Sequence, residues 1–388
     1  MTQVPVEAAL GARHLPNFSE RPILVYWETT QACTLACRHC RASAQSQALP
    51  GELTYEQGCS LIDQIAEFGR PRPVLVLTGG DLMMRPDIYE LTAYAKQRGL
   101  SVAITPSITP RLTKVAIDRF SELGVSVAAV SLDGAQPTTH DRIRGVNGHF
   151  DQTLASLRRL RRAGFKVQVN TTVMRDNVEE LADIAALLLA TGIRTWVVFF
   201  LVGVGRGAGE RALSAAQSED VCHFLYDAAA YGLVTRTVEG PFFRRVTAWR
   251  GHYGEGDPTE AFRLGELYSR LVSRLRAILG PPTERRVIPS IGTRDGKGVI
   301  FVSHDGQVHP SGFLPLVLGS VKHENLVQIY RQHPTLLEIR RGSFRGSCAK
   351  CGFKDLCGGS RARAFEQSGD PLADDPSCLY ALAGARSG

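Results

Sequence analysis

The sequence predicts an α/β protein built on a parallel sheet, followed by a small α+β unit that contains a β-hairpin. Three observations carry this expectation. From Leu24 to about Leu201, short apolar runs alternate with amphipathic stretches of helical period, the pattern of repeated βα units with helices outside a parallel sheet. A glycine follows each helical stretch (Gly69, Gly99, Gly124, Gly164, Gly192), where a left-handed C-cap is expected. Past residue 290 the alternation gives way to a hairpin pattern and a run of cysteines.

Residues 1–20 form an N-terminal extension, and residues 21–211 hold the βα repeats. Strands are expected at Leu24–Glu28, Val74–Thr78, Ser101–Thr105, Val125–Ser131, Val167–Val173 and Thr195–Leu201. Helices are expected near Tyr55–Phe68, Asp87–Arg98, Thr113–Glu122, Asp151–Ala163 and Val178–Ala190. The alternation is expected to stop over 212–290, where Ser214–Tyr231 and Pro258–Leu279 read as helices of a linker or lid. Cys59 and Cys222 fall on apolar helix faces and read as core. In the last unit, 291–388, Val299-Ile300-Phe301-Val302, an Asp305-Gly306 turn and Val308 spell a hairpin.

The composition is ordinary for a soluble globular protein: 388 residues, 44% hydrophobic and 21% charged. No apolar run is long enough to span a bilayer, so a membrane protein is not expected. The N-terminus lacks a basic start and an apolar core, so a cytoplasmic location is expected. Nine cysteines in such a compartment point to metal or redox chemistry rather than disulfides. The net charge of +7 could serve nucleic acid or an anionic substrate. No nucleic-acid module accompanies it, and the run Arg158, Arg159, Arg161, Arg162 reads as a solvated helix face opposite Leu154, Leu157 and Leu160. Nucleic acid is therefore not an expected partner.

The candidate chemistry centres on Cys33, Cys37 and Cys40, spaced C-x3-C-x2-C directly after the first strand. Three thiolates on one loop can hold three corners of an iron–sulfur cube and leave one iron open. Zinc is the alternative, but it wants four ligands, and His39 beside Cys40 is badly placed to complete a tetrahedron. Ligands of parallel sheets gather at the carboxyl ends of strands. Those ends carry Gly79-Gly80-Asp81, Thr105 and Ser107, Ser131, the His140–Gly145 block with Arg144, Asn170 on the fifth strand, and Leu201. The glycines would let backbone approach a ligand closely, and the Arg144 guanidinium suits a carboxylate. Gly203–Gly209 does not follow G-x-G-x-x-G and reads as a mobile loop over the sheet. Near the C-terminus, Cys348, Cys351, Cys357 and Cys378 offer four thiols, equally suited on spacing to a closed [4Fe–4S] cluster or to zinc.

The three-cysteine loop after a first strand, the Gly-Gly-Asp turn and the Ser131-Leu132-Asp133-Gly134 block resemble the radical S-adenosylmethionine (SAM) superfamily. The C-terminal hairpin, three-cysteine run, Gly358–Arg363 and Asp375–Cys378 resemble its SPASM/Twitch auxiliary-cluster domain. Together the likeness spans about residues 21 to 388. The resemblance implies a partial (β/α)6 TIM-like barrel. It also implies a [4Fe–4S] cluster on Cys33, Cys37 and Cys40, with SAM held by Gly79, Gly80, Asp81, Thr105, Ser107, Ser131, Arg144 and Asn170, and with Leu201 on its adenine. Ser311 stands where a full SPASM domain has cysteine, so one auxiliary [4Fe–4S] cluster is implied, on Cys348, Cys351, Cys357 and Cys378. The implied reaction is reductive cleavage of SAM to a 5′-deoxyadenosyl radical that abstracts hydrogen from substrate, with electrons from a low-potential donor of flavodoxin or ferredoxin type. A small molecule or tetrapyrrole is the expected substrate, since its propionates would suit the basic balance. Radical sulfur insertion and peptide or protein side-chain modification are the alternatives.

Overall fold

The computed structural model of the chain describes residues 17–253, 256–284, 288 and 292–380. Residues 1–16 of the extension, and Ile291 at the start of the last unit, lie outside the described residues.

One ten-stranded sheet organises the chain, in the order β10-β9-β8-β1-β2-β3-β4-β5-β6-β7. Its strands are β1 (Leu24–Glu28), β2 (Val74–Thr78), β3 (Ser101–Ile104), β4 (Val127–Ser131), β5 (Lys166–Val173), β6 (Thr195–Phe200), β7 (Val234–Val238), β8 (Val299–Val302), β9 (Gln307–His309) and β10 (Gly319–Ser320). Neighbours from β8 through β1 to β7 are all parallel, and β9 pairs antiparallel with both β8 and β10. The sheet is open, with β7 and β10 as its edges, so the barrel is partial as expected.

Three features differ from the expectation. β7 lies inside the stretch read as helical linker and adds a further parallel strand beside β6. Its sequence, VTRTV, is apolar only at its two ends, a weak signal beside the apolar β6. The hairpin of the last unit is not a separate sheet: β8 pairs with β1 from Leu24↔Val299 to Trp27↔Val302. The last unit thereby extends the barrel wall. The expected helix over 258–279 is also two helices, Pro258–Phe262 and Glu266–Leu279, broken where Arg263 turns left-handed.

Packing explains the wall. Val25 and Trp27 on β1 face the helix layer and are fully buried. The helix Tyr55–Ala66, started by a Thr54–Gln57 capping box, lies over Trp27. Gly58 permits the contact, because a Cβ there would stand 2.7 Å from Trp27 and 2.8 Å from Leu91. The opposite wall is fastened where Ser360 donates its hydroxyl to Glu239, just past β7.

Gly58→Ala should lower stability by about 1–3 kcal/mol through overpacking, despite the gain of up to about 1 kcal/mol in helix propensity. Chemical denaturation of the full chain measures the sign: a lower midpoint is expected.

Candidate functional site

The loop carrying Cys33, Cys37 and Cys40 leaves the carboxyl end of β1 and is held on two sides by main chain. On one side stands the Gly79-Gly80 turn after β2: Gly80 N–H donates to Thr30 O at 2.8 Å and Asp81 N–H to Ala32 O at 2.7 Å. A Cβ on Gly79 would lie 2.6 Å from Thr30 O, and one on Gly80 2.6 Å from Gln31 O. These glycines therefore admit the thiol loop itself, a requirement that sequence reasoning assigned to the ligand. On the other side stands the Gly203–Gly209 segment. Arg206 donates from its backbone to Cys40 O (2.9 Å), from Nε to Cys37 O (2.9 Å) and from Nη1 to Ala44 O (3.0 Å). Left-handed Gly205 lies where a side chain would strike Cys40 O. That segment was expected to be a mobile cover; it is a brace bonded to the cysteine loop.

Cys33 and Cys37 are buried in one cluster with Leu35 and Ala44, and half-buried Cys40 packs against it. Each of the first two has a donor beside it: Leu35 N–H lies 3.4 Å from Cys33 Sγ, with Ser107 Oγ 3.8 Å away, and Arg144 Nη1 lies 3.6 Å from Cys37 Sγ. Burial raises the Cys33 thiol, and the Leu35 amide and the Ser107 hydroxyl beside it oppose that shift. Donors aimed at sulfur are the surroundings a metal-bound thiolate uses.

A charge network that sequence reasoning missed stands behind the loop. Asp133, fully buried after β4, lies 2.5 Å from Arg144 Nη2 and 3.0 Å from His39 Nε2, and accepts Thr172 N–H at 2.8 Å. Burial pushes its carboxyl up, but Arg144 and then His39 outweigh burial and hold it well below the usual carboxylate range. Behind it, His140 Nδ1 accepts Asp133 N–H at 3.1 Å, and His140 Nε2 lies 2.9 Å from His149 Nδ1. Burial, with Arg144 adding, pushes His140 down to about 3. His39, weighed in the sequence only as a badly placed zinc ligand, is thus the loop's link to this network. At the end of β1, Glu28 is buried between Arg41 and His304, each 3.1 Å away.

The other expected contacts divide. Ser131 and Asn170 are in-register neighbours on β4 and β5, half-buried and side by side. Thr105 donates to Leu77 O, and Ser107 to Gly80 O, at the ends of β2 and β3. Leu201 packs with Ile143 and Met174. Asp81 is fully buried, and its carboxylate accepts Thr109 Oγ1 at 2.7 Å and Met83 N–H at 3.1 Å, so it braces the turn beside the two glycines. Arg144 lies between Asp133 and Cys37.

At the other end of the chain, Cys348, Cys351, Cys357 and Cys378 line one cavity with Arg245, Phe353 and Tyr380. Phe353 N–H lies 3.4 Å from Cys351 Sγ, and Gly359 N–H 3.5 Å from Cys357 Sγ. Burial pushes Cys348 up to about 11. Among the described residues no three His, Cys, Asp or Glu side chains gather closely enough for a single metal ion.

Comparison with known proteins agrees with this geometry. The radical SAM superfamily matches residues 27–188. An AdoMet-dependent heme synthase of Nitratidesulfovibrio vulgaris is 35% identical over 376 residues, 96% of each chain. The chain belongs to the radical SAM superfamily. As a radical SAM enzyme it binds SAM and a [4Fe–4S] cluster, and the fit of Cys33, Cys37 and Cys40 to that cluster is the thiol cluster and its donors described above. A pre-heme d1 synthase of Dinoroseobacter shibae is 30% identical, covering 94% of this chain and 90% of its own. The fold is shared with Streptococcus suis SuiB bound to S-adenosylmethionine, at TM-score 0.65 and 14% identity over 93% of this chain and 78% of that one. No helix among the described residues is long and apolar enough to cross a membrane.

His140 binds its proton more weakly when folded than when unfolded (about 6.5 for a free imidazole). Stability should therefore rise with pH between about 3 and 6.5, because the unfolded state holds the extra proton there. Urea midpoints measured across that window should climb with pH in the native chain and climb less steeply in His140→Gln. Asp133→Ala, which strands Arg144 in the interior, should cost about 3–5 kcal/mol, read as a fall in the same midpoint.

Proposed function

We propose that the enzyme uses radical SAM chemistry to abstract hydrogen from a tetrapyrrole in the synthesis of a haem-type cofactor. The observation that carries this reading is the end-to-end likeness, at 30–35% identity, to relatives named heme synthase and pre-heme d1 synthase. The basic balance of the chain supports a substrate bearing carboxylates.

In this reading Cys33, Cys37 and Cys40 hold the SAM cluster. When bound, that cluster supplies one electron to SAM, whose cleavage yields methionine and the 5′-deoxyadenosyl radical. Arg144 and the Leu35 amide steady the thiolates by hydrogen bonding, and Arg206 fixes the loop. Ser131 and Asn170 offer polar groups at the neighbouring strand ends for the nucleotide. The burial of the loop keeps water from a reactive intermediate.

Cys348, Cys351, Cys357 and Cys378 hold the auxiliary cluster. Thiols spread around a cavity, with amide donors on two of them and cationic Arg245 on its wall, suit a multi-iron cluster better than one tetrahedral zinc. With four sulfur ligands it would take or give an electron rather than surrender sulfide. The electron source is a low-potential flavodoxin or ferredoxin, and the location is cytoplasmic.

Anaerobically reconstituted enzyme given dithionite and SAM should form 5′-deoxyadenosine about tenfold faster or more when an iron porphyrin with propionate side chains is added. No rise, or a rise given by a peptide instead, contradicts the substrate. Cys37→Ala should abolish SAM cleavage, whereas Cys351→Ala should leave cleavage uncoupled from product, both measured by chromatography of deoxyadenosine and porphyrin.

A further inference from the structure

The inner face of the sheet carries a cation that nothing in the site above uses. On β7, Thr235 donates its hydroxyl to Leu225 O of the helix Ala215–Ala228, so that residue faces the helix layer and Arg236 faces the lumen. Register places Arg236 in one row with the nucleotide residues: Ser131 pairs with Asn170, Asn170 with Val197, and Val197 with Arg236. Two strand spacings put its Cα about 10 Å from that of Asn170, within reach of a substrate beside SAM. Arg236 is exposed. Among the described residues, no hydrogen bond or ion pair engages its guanidinium. Across the lumen stands Tyr26, whose neighbours Val25 and Trp27 face the helices. Burial raises the Tyr26 phenol and the Arg236 cation opposes it, which puts the two groups within electrostatic reach.

One layer nearer the mouth, Thr172 pairs with Phe199 and Phe199 with Val238. The Phe199 ring meets Phe313, from the loop after β9, at 5.9 Å between centroids and 55° between planes. Both rings are half-buried, so each keeps surface for another aromatic group. Phe313 joins the C-terminal unit to the barrel lumen at this point. Arg236 lies about 7 Å deeper, two residues along the strand direction.

We propose that Phe199, Phe313, Arg236 and Tyr26 form a substrate seat for a planar aromatic macrocycle bearing a carboxylate. The rings take the edge or face of the macrocycle. Arg236, a planar donor fork without an anionic partner among the described residues, takes a carboxylate on a short flexible arm. Tyr26 adds a hydroxyl donor to the same group. The seat rests on the tetrapyrrole reading above and adds to it which group of the substrate is read, and from which wall.

The test uses the full chain, anaerobically reconstituted, with coproporphyrin III as probe and its tetramethyl ester as control, followed by fluorescence quenching. Arg236→Met should weaken binding of the free acid about tenfold or more and leave ester binding as in the native chain. Arg236→Lys should recover part of the loss, and Phe199→Ala should weaken both probes. The visible absorption of the clusters serves as the folding control. Native enzyme that binds the acid, with Arg236→Met binding it equally well, overturns the seat while the tetrapyrrole reading stands. Native enzyme that binds neither probe removes both.

Discussion

The whole site depends on a close main-chain approach: a loop bearing three thiols is clamped between two glycine-containing backbones at the mouth of the sheet. Gly79 and Gly80 bring the end of β2 against residues 30–32, and Gly205 and Arg206 close on the carbonyls of Cys37 and Cys40 from the far side. Side chains in either place would collide with carbonyl oxygens. Thiol positions set by backbone on both sides lose little freedom when metal binds. That preorganisation is what a cluster with one uncapped iron needs, because no fourth protein ligand corrects an error in the other three.

Charge completes what the backbone begins. Asp133 sits in a fully buried position only because Arg144 and His39 balance it, and the same Arg144 reaches toward Cys37 sulfur. Isolated, any one of these charges would be costly in the interior. Grouped, they tie β4, the helix Pro137–Arg144 and the cysteine loop into one unit. A comparable solution recurs at the second thiol set, where buried Arg245 on the cavity wall is paired with Glu219 at 2.6 Å. Both thiol sets thus lie beside a cation whose own partner keeps it in place.

Much of this was legible in the sequence because it is local. Six of the barrel strands follow from apolar runs, and the helix ends follow from glycines such as Gly99 and Gly164, which do take left-handed conformations. The first thiol set is read from its spacing after β1, and the second from its spacing together with the family resemblance. The rest is set by contacts between distant residues. β8 joins β1 although about 270 residues separate them, and β7 carries too little apolar signal to announce itself. Arg206 lay in a stretch whose glycines suggested freedom, and its bonds to the cysteine loop exist only once the barrel is built. The hydrogen bond from Thr109 to the Asp81 carboxylate likewise joins residues 28 positions apart.

The continuous sheet gives the two thiol sets a common frame, and Phe313 and Ser360 carry contacts from the C-terminal unit into the barrel. The central claim is that Cys33, Cys37 and Cys40 leave one iron for SAM while the four C-terminal thiols leave none. Electron paramagnetic resonance of the reduced, anaerobically prepared protein tests this most directly, with and without SAM, alongside iron and sulfide analysis. The account predicts about eight irons per chain and two signals, of which SAM shifts one and leaves the other unchanged. Zinc at the first three thiols, or a spectrum indifferent to SAM, would contradict it.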